Sequence, residues 1–235
     1  MKFAAQLCSR SEEINSFDFE LTQKGQSARA GSLLLYTTTM FNFEKVFTTF
    51  ERNYILVPLE VFGRNPYKTL ISTILSARTK DEVTLEASKR LFKKAPNLKT
   101  LKTLTEEEIG KLIYPVGFYK TKAKHLRKLT EIINKVPETR EELMKIPEVG
   151  IKTANLVLNR AFNIPAIAVD THVHRISNLL DWVKTKQPEE TEKELIKILP
   201  EIYWPKVNRL FVSIGRQFRS KRKLINFIEK NKLIK

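Results

Sequence analysis

From Phe41 onward, proline sets the rhythm of this chain. Pro96, Pro115, Pro137, Pro147, Pro165, Pro188, Pro200 and Pro205 interrupt the apolar-periodic runs or stand at their starts. Proline is tolerated in the first turn of a helix and excluded from its interior. A chain cut in this way folds into many short helices joined by tight connections. Asn65-Pro66 reads as an N-cap followed by first-turn proline, opening a helix with Leu70, Ile71, Ile74 and Leu75 on one face. Thr105-Glu106-Glu107-Glu108 and Thr139-Arg140-Glu141-Glu142 each have the spacing of a capping box. The periodicity predicts helices over 41–53, 66–77, 80–94, 105–113, 119–135, 139–145, 151–162, 171–181, 188–199, 205–218 and 221–231. No internal repeat stands out, and the fold class is all-α.

The first 40 residues read differently. Phe17-Asp18-Phe19-Glu20-Leu21-Thr22 alternates apolar and polar, Gly25 can turn, and Leu33 to Thr39 is strand-prone. An isolated hairpin is marginal in water, so 1–40 is read as an appendage whose order the sequence leaves open, and a start at Met40 would remove nothing helical. A signal peptide is not expected, because Ser and Glu interrupt any apolar core.

Charge narrows the partner. The 235 residues carry 42 Lys+Arg against 26 Asp+Glu, a formal net charge of +16. Residues 1–60 hold six basic and seven acidic side chains, so the whole excess follows Val61. Pro205 to Lys235 alone has ten basic residues and one acid, Glu229. Segregated positive charge points to a polyanion, nucleic acid first. No run of about 18 apolar residues exists to span a membrane, and no lipidation signal appears. One cysteine, Cys8, excludes a disulfide framework, a Cys-rich zinc module and a four-cysteine iron–sulfur cluster built from these residues. His172 and His174 diverge on a helix at i, i+2, so no metal pair is expected.

The stretch Leu143 to Leu180 carries the chemistry. Ile146-Pro147-Glu148-Val149-Gly150 makes a tight turn, and Ile151-Lys152-Thr153-Ala154-Asn155 opens the next helix. The unpaired N–H groups and positive dipole end of that helix form an anion site suited to a DNA phosphate. A structural connection between two helices has the same spacing. Lys152 lies in the first turn, where the dipole and partial burial would favour a neutral, nucleophilic amine. A solvated lysine on phosphate is the plainer alternative. The connection from Asn163 to Val169 is long enough to return Asp170 beside Lys152. Asp170 also precedes Thr171-His172-Val173-His174-Arg175, so it doubles as an N-cap.

The run Ile146 to Asn155, followed by Val169-Asp170-Thr171-His172-Val173-His174-Arg175, resembles the helix-hairpin-helix DNA glycosylases, in their endonuclease III branch. Ile74-Leu75-Ser76-Ala77-Arg78-Thr79-Lys80-Asp81 and Val116-Gly117-Phe118-Tyr119-Lys120-Thr121-Lys122-Ala123 extend the similarity, which runs from about Asn65 to Arg216. The resemblance implies two helical lobes with a DNA-binding cleft between them. One is a six-helix lobe over 59–164; the other pairs 41–58 with 165–235. It also implies removal of oxidised pyrimidines from damaged double-stranded DNA, followed by strand cleavage through a lysine imine. Lys152 would be the nucleophile and Asp170 the group that stabilises charge on the sugar and assists proton transfer. DNA-binding roles fall to Pro147, Val149, Gly150, Thr153, Lys122 and His172. Arg78 and Phe118 would fill the gap left by the flipped base, in place of a glutamine and a leucine common in relatives. Thr73 stands where adenine-removing relatives carry a catalytic glutamate. The implied protein is a monomer working inside the cell with the genome, needing no metal for catalysis.

Three departures from the family pattern are visible. Glu148 replaces the first glycine of the hairpin and adds a carboxylate where phosphate approaches. The C-terminal four-cysteine cluster of many members has no counterpart, so no iron–sulfur cofactor is expected. Packing of Trp204, Leu210, Phe211, Phe218, Leu224 and Phe227 would hold that lobe instead. Arg219, Lys221, Arg222 and Lys223 are read as replacing DNA contacts made near the cluster elsewhere. Two rival readings stay open: a non-enzymatic helix-hairpin-helix duplex-binding protein and, with no aromatic RNA platform to support it, an RNA binder.

Overall fold

The computed structural model describes residues 41–234. The appendage over 1–40, with its strand-prone stretches and Cys8, lies outside the described residues. Among those described there are twelve α-helices and no strand. They are α1 (Phe43–Arg52), α2 (Pro66–Ser76), α3 (Asp81–Lys94), α4 (Leu98–Thr103), α5 (Glu106–Ile113) and α6 (Tyr119–Ile132). Then follow α7 (Arg140–Leu143), α8 (Ile151–Phe162), α9 (Thr171–Leu179), α10 (Pro188–Ile198), α11 (Trp204–Gln217) and α12 (Lys221–Lys230). Short 3-10 turns cover Pro58–Phe62 and Glu201–Tyr203. No helix among the described residues is long and apolar enough to cross a membrane.

Local chemistry sets the boundaries. Asn65 accepts from the Lys68 N–H at 3.0 Å and Pro66 occupies the first turn, as its spacing predicts. Thr105 and Glu108 close a full capping box, with bonds of 3.2 and 2.8 Å. Thr139 makes only half of one: it accepts from the Glu142 N–H, and the α7 it starts is a single turn. Helix α4 is not among the helices expected from the sequence. Its box runs through Asn97 and Thr100, which exchange bonds of 3.0 and 3.2 Å. Lys and Thr fill four of its six positions, leaving too little apolar periodicity to announce it.

Helix α2 is the pillar of the fold. Leu70, Ile71, Ile74 and Leu75 are at most 2% exposed, and Tyr67, Thr69, Ser72 and Thr73 are buried too. A helix buried all round must satisfy its own polar groups. Ser72 and Thr73 donate to the Thr69 carbonyl at 3.2 and 2.7 Å, and the Tyr67 hydroxyl reaches the Ala95 carbonyl at 2.8 Å. Around α2 the core extends through α3, α5 and α6 to Val157 and Leu158 of α8. Aromatic rings dominate farther on. Phe47 of α1 stacks on Tyr203 at 4.3 Å, Phe50 meets Phe211 edge-on at 5.1 Å, and Phe218 stacks on Phe227 at 4.4 Å. The residues expected to pack the C-terminal helices do so: Leu210, Phe211, Leu224 and Phe227 are buried. Phe218 and Trp204 are half-buried, with the Trp204 indole N–H donating to the Leu199 carbonyl at 2.8 Å.

Candidate active site

The hairpin between α7 and α8 takes the expected turn. The Val149 N–H reaches the Ile146 carbonyl at 3.1 Å, and Gly150 caps α8 with extended backbone and no side-chain acceptor. The first amides of α8 therefore have no partner from their own cap, and Gly150 is open to solvent. Val149 is buried and Pro147 and Thr153 are half-buried. Glu148 adopts a left-handed φ of 68°, which accounts for the glycine common at this position in relatives. Its carboxylate lies 3.1 Å from His125 Nδ1 on α6, so the side chain turns toward that helix.

Lys152, Asp170 and His172 open into one cleft of about 240 Å³, together with Thr73, Ser76 and Arg216. Lys152 is exposed to it, as the plainer alternative of a solvated lysine has it. Asp170 caps α9: one carboxylate oxygen accepts from the His172 and Val173 N–H groups at 3.0 and 2.8 Å. Capping and access to the cleft coexist in this one side chain. His172 is half-buried against α11, where the Cβ of any larger residue at Gly215 would run into its imidazole. Burial holds the His172 imidazole below its ordinary pKa; Asp170 opposes this, while Arg175, Lys152 and Arg219 add to it. Thr73 lines the same cleft, its hydroxyl spent on the helix backbone.

Arg78, Phe118 and Lys122 do not line that cleft. Arg78 and Phe118 sit at the tips of two loops, with left-handed φ of 52° and 57°. The Arg78 guanidinium lies 5.4 Å from the centre of the Phe118 ring, which is 61% exposed. Lys122 differs from a surface phosphate contact: it is 3% exposed, and its ammonium donates to the Leu75 and Ala77 carbonyls at 2.9 and 2.6 Å. Burial pushes its pKa down to about 8, with Glu148 acting in the opposite direction.

Several supports went unseen in the sequence. Arg216 at the end of α11 pairs with Asp81 and Glu82 at the start of α3. Asn208 donates to the Ala168 carbonyl at 3.0 Å and accepts from Arg160 at 3.1 Å, tethering the connection that carries Asp170. Arg160 in turn lies 4.0 Å from Glu60, which accepts from the Tyr54 hydroxyl. Asn155, fully buried, donates to the Ile167 carbonyl and Glu192 at 2.8 and 2.9 Å. The only available signal was a polar residue on an otherwise apolar helix face, which names no partner.

Known proteins resemble this chain in sequence and in fold. A family model described as HhH-GPD superfamily base excision DNA repair protein matches residues 71–201. Endonuclease III of Thermotoga maritima is 48% identical over 158 residues, covering 65% of this chain and 74% of that protein. Endonuclease III-like protein 1 of Gallus gallus is 43% identical over 159 residues, 64% of this chain, and the match spans only 57% of the longer bird protein. The solved structure of a trapped endonuclease III–DNA covalent intermediate superposes with a TM-score of 0.63 at 35% identity, covering 72% of this chain and 79% of that one. The chain belongs to the HhH-GPD superfamily of base excision DNA repair proteins and, within it, to the endonuclease III family.

Proposed function

We propose that this protein is a bifunctional DNA glycosylase and abasic-site lyase acting on oxidised pyrimidines in double-stranded DNA. The observation that carries this reading is the shared cleft of Lys152 and Asp170, with the open end of α8 beside it. The hairpin backbone holds a phosphate without reading sequence, and the damaged base is flipped out of the stack to reach the cleft. Lys152, having given up a proton, attacks the sugar C1′, and the base leaves with the bonding electron pair and takes up a proton. The resulting amine opens the sugar to an imine. Loss of a C2′ proton then expels the 3′ phosphate, and hydrolysis frees the lysine. Asp170, held by two backbone N–H groups, faces the positive charge that develops on the sugar. Pro147, Val149, Gly150, Thr153 and His172 belong to the DNA-facing surface, and Arg78 and Phe118 enter the gap. In this reading DNA lies across a cleft between the 59–164 lobe and the lobe formed by 41–58 with 165–235. The protein works as a monomer alongside the genome.

Many family members hold a four-cysteine iron–sulfur cluster. We read this chain, which has one cysteine, as working without such a cluster. The stacked Phe218 and Phe227 and the buried Leu224 and Ile228 hold α12 by packing.

Borohydride trapping on duplex DNA with an abasic site or an oxidised pyrimidine tests the reading. Wild type should give a covalent adduct that Lys152→Gln abolishes, with Asp170→Asn slower by at least an order of magnitude. Folded protein that binds the duplex but yields neither adduct nor released base would instead be a duplex-binding module.

A further inference from the structure

Lys122 is a cation with nowhere to meet DNA. Its ammonium sits under the end of α2, where the Leu75 and Ala77 carbonyls lack intrahelical partners. A positive charge suits that end of the helix dipole. It also lies 3.3 Å from the Thr79 hydroxyl, so its contacts bracket Arg78 on both sides. The same hydroxyl accepts the Gly117 N–H at 3.1 Å, tying the first loop to the second. Gly117 comes so near that a Cβ there would lie 2.6 Å from the Arg78 carbonyl. Lys122 is itself one helical turn beyond Phe118, whose carbonyl accepts its backbone N–H at 3.0 Å. The two tips therefore share one buried anchor, and each tip residue holds a left-handed backbone that isolated loops would leave.

We infer that Lys122 is a positioning residue that locks Arg78 and Phe118 into a single preformed wedge, and that it contributes to binding of disrupted duplex rather than to duplex affinity in general. This rests on the repair reading, in which the tips enter the gap left by the flipped base. A rigid wedge spends no ordering entropy on insertion. On intact duplex, where nothing is inserted, the anchor should be silent.

The test compares binding to an intact duplex with binding to the same duplex containing one tetrahydrofuran abasic analogue, over a range of salt. Lys122→Met should lose about tenfold of the preference for the abasic duplex, equivalent to ~1.4 kcal/mol, while intact-duplex affinity and its salt slope stay unchanged. Lys122→Arg should recover part of the preference, since a guanidinium can reach the same carbonyls. Thr79→Val keeps the α2 cap but severs the link to Gly117, and should show the same selective loss even if Lys122→Met fails to fold. Equal weakening on both duplexes with a salt slope reduced by about one would make Lys122 a phosphate contact and overturn the inference. Preference preserved in Thr79→Val and in folded Lys122→Met would overturn it too. A wild type with no preference at all would sink the repair reading and this inference together. A trapped adduct that survives Lys152→Gln, with the preference intact, would strike the lysine chemistry alone.

Discussion

Glu148 shows how much one side chain decides in the hairpin. A carboxylate stands at the mouth of an anion site, on a backbone with a φ of 68° that disfavours any L-residue with a Cβ. Its 3.1 Å approach to His125 turns the charge toward α6. Glu148→Gly removes both the strain and the charge. Duplex affinity should rise on the order of threefold at low salt, with the gain shrinking as salt screens it; unchanged affinity would mean that the carboxylate already lies out of reach of phosphate. His172 carries a second residue-scale expectation. Its folded pKa lies below its ordinary value of about 6.5, so between the two the unfolded chain binds more protons. Stability due to His172 is therefore lost as pH falls below about 6.5. Thermal melts should show wild type losing more than His172→Gln between about pH 7 and pH 5.5, and parallel losses would assign the effect elsewhere.

At the scale of elements, α11 does two jobs. It lends Phe211 to the aromatic core, and it offers the notch at Gly215 into which His172 fits. Gly215→Ala would drive a methyl into the imidazole, so α9 or the ring must move. Overpacking of this kind costs about 1–3 kcal/mol, and trapping on abasic DNA should fall because Asp170 rides on the start of α9. A melt that drops with trapping intact would show that the ring moves and Asp170 does not. Most elements were legible from their ends: Asn65-Pro66, Thr105 with Glu108, and the proline at most breaks. Helix α4 was not, because six residues give too few positions for a periodicity to register, and a cap holds it instead of a buried stripe.

Across the whole molecule, the basic excess after Val61 makes binding strongly salt-dependent. Arg219, Lys221, Arg222 and Lys223 are all exposed, around the start of α12. Neutralising the four should lower the slope of log affinity against log salt by about 0.9 for each phosphate they no longer neutralise. An unchanged slope would place the DNA elsewhere. The same region depends on ring packing: Phe211 is fully buried between Phe47, Phe50 and Trp182. Phe211→Ala should cost about 3–5 kcal/mol, read by denaturant melts.

By itself the sequence determined the all-α class, most helix starts, the hairpin, and Lys152 and Asp170 as the pair to watch. Each of these follows from short-range rules: proline geometry, capping spacing, apolar period and a recurrent local motif. Only tertiary structure decided which polar groups are anchors and which are contacts. The family resemblance makes Lys122 a DNA contact, yet its ammonium is buried on carbonyls 45 and 47 residues away. Whether Lys152 is partly buried or solvated was likewise left to the packing, which exposes it. A side chain's partner across the fold depends on how helices pack, and periodicity along the chain records which face is covered but not what covers it.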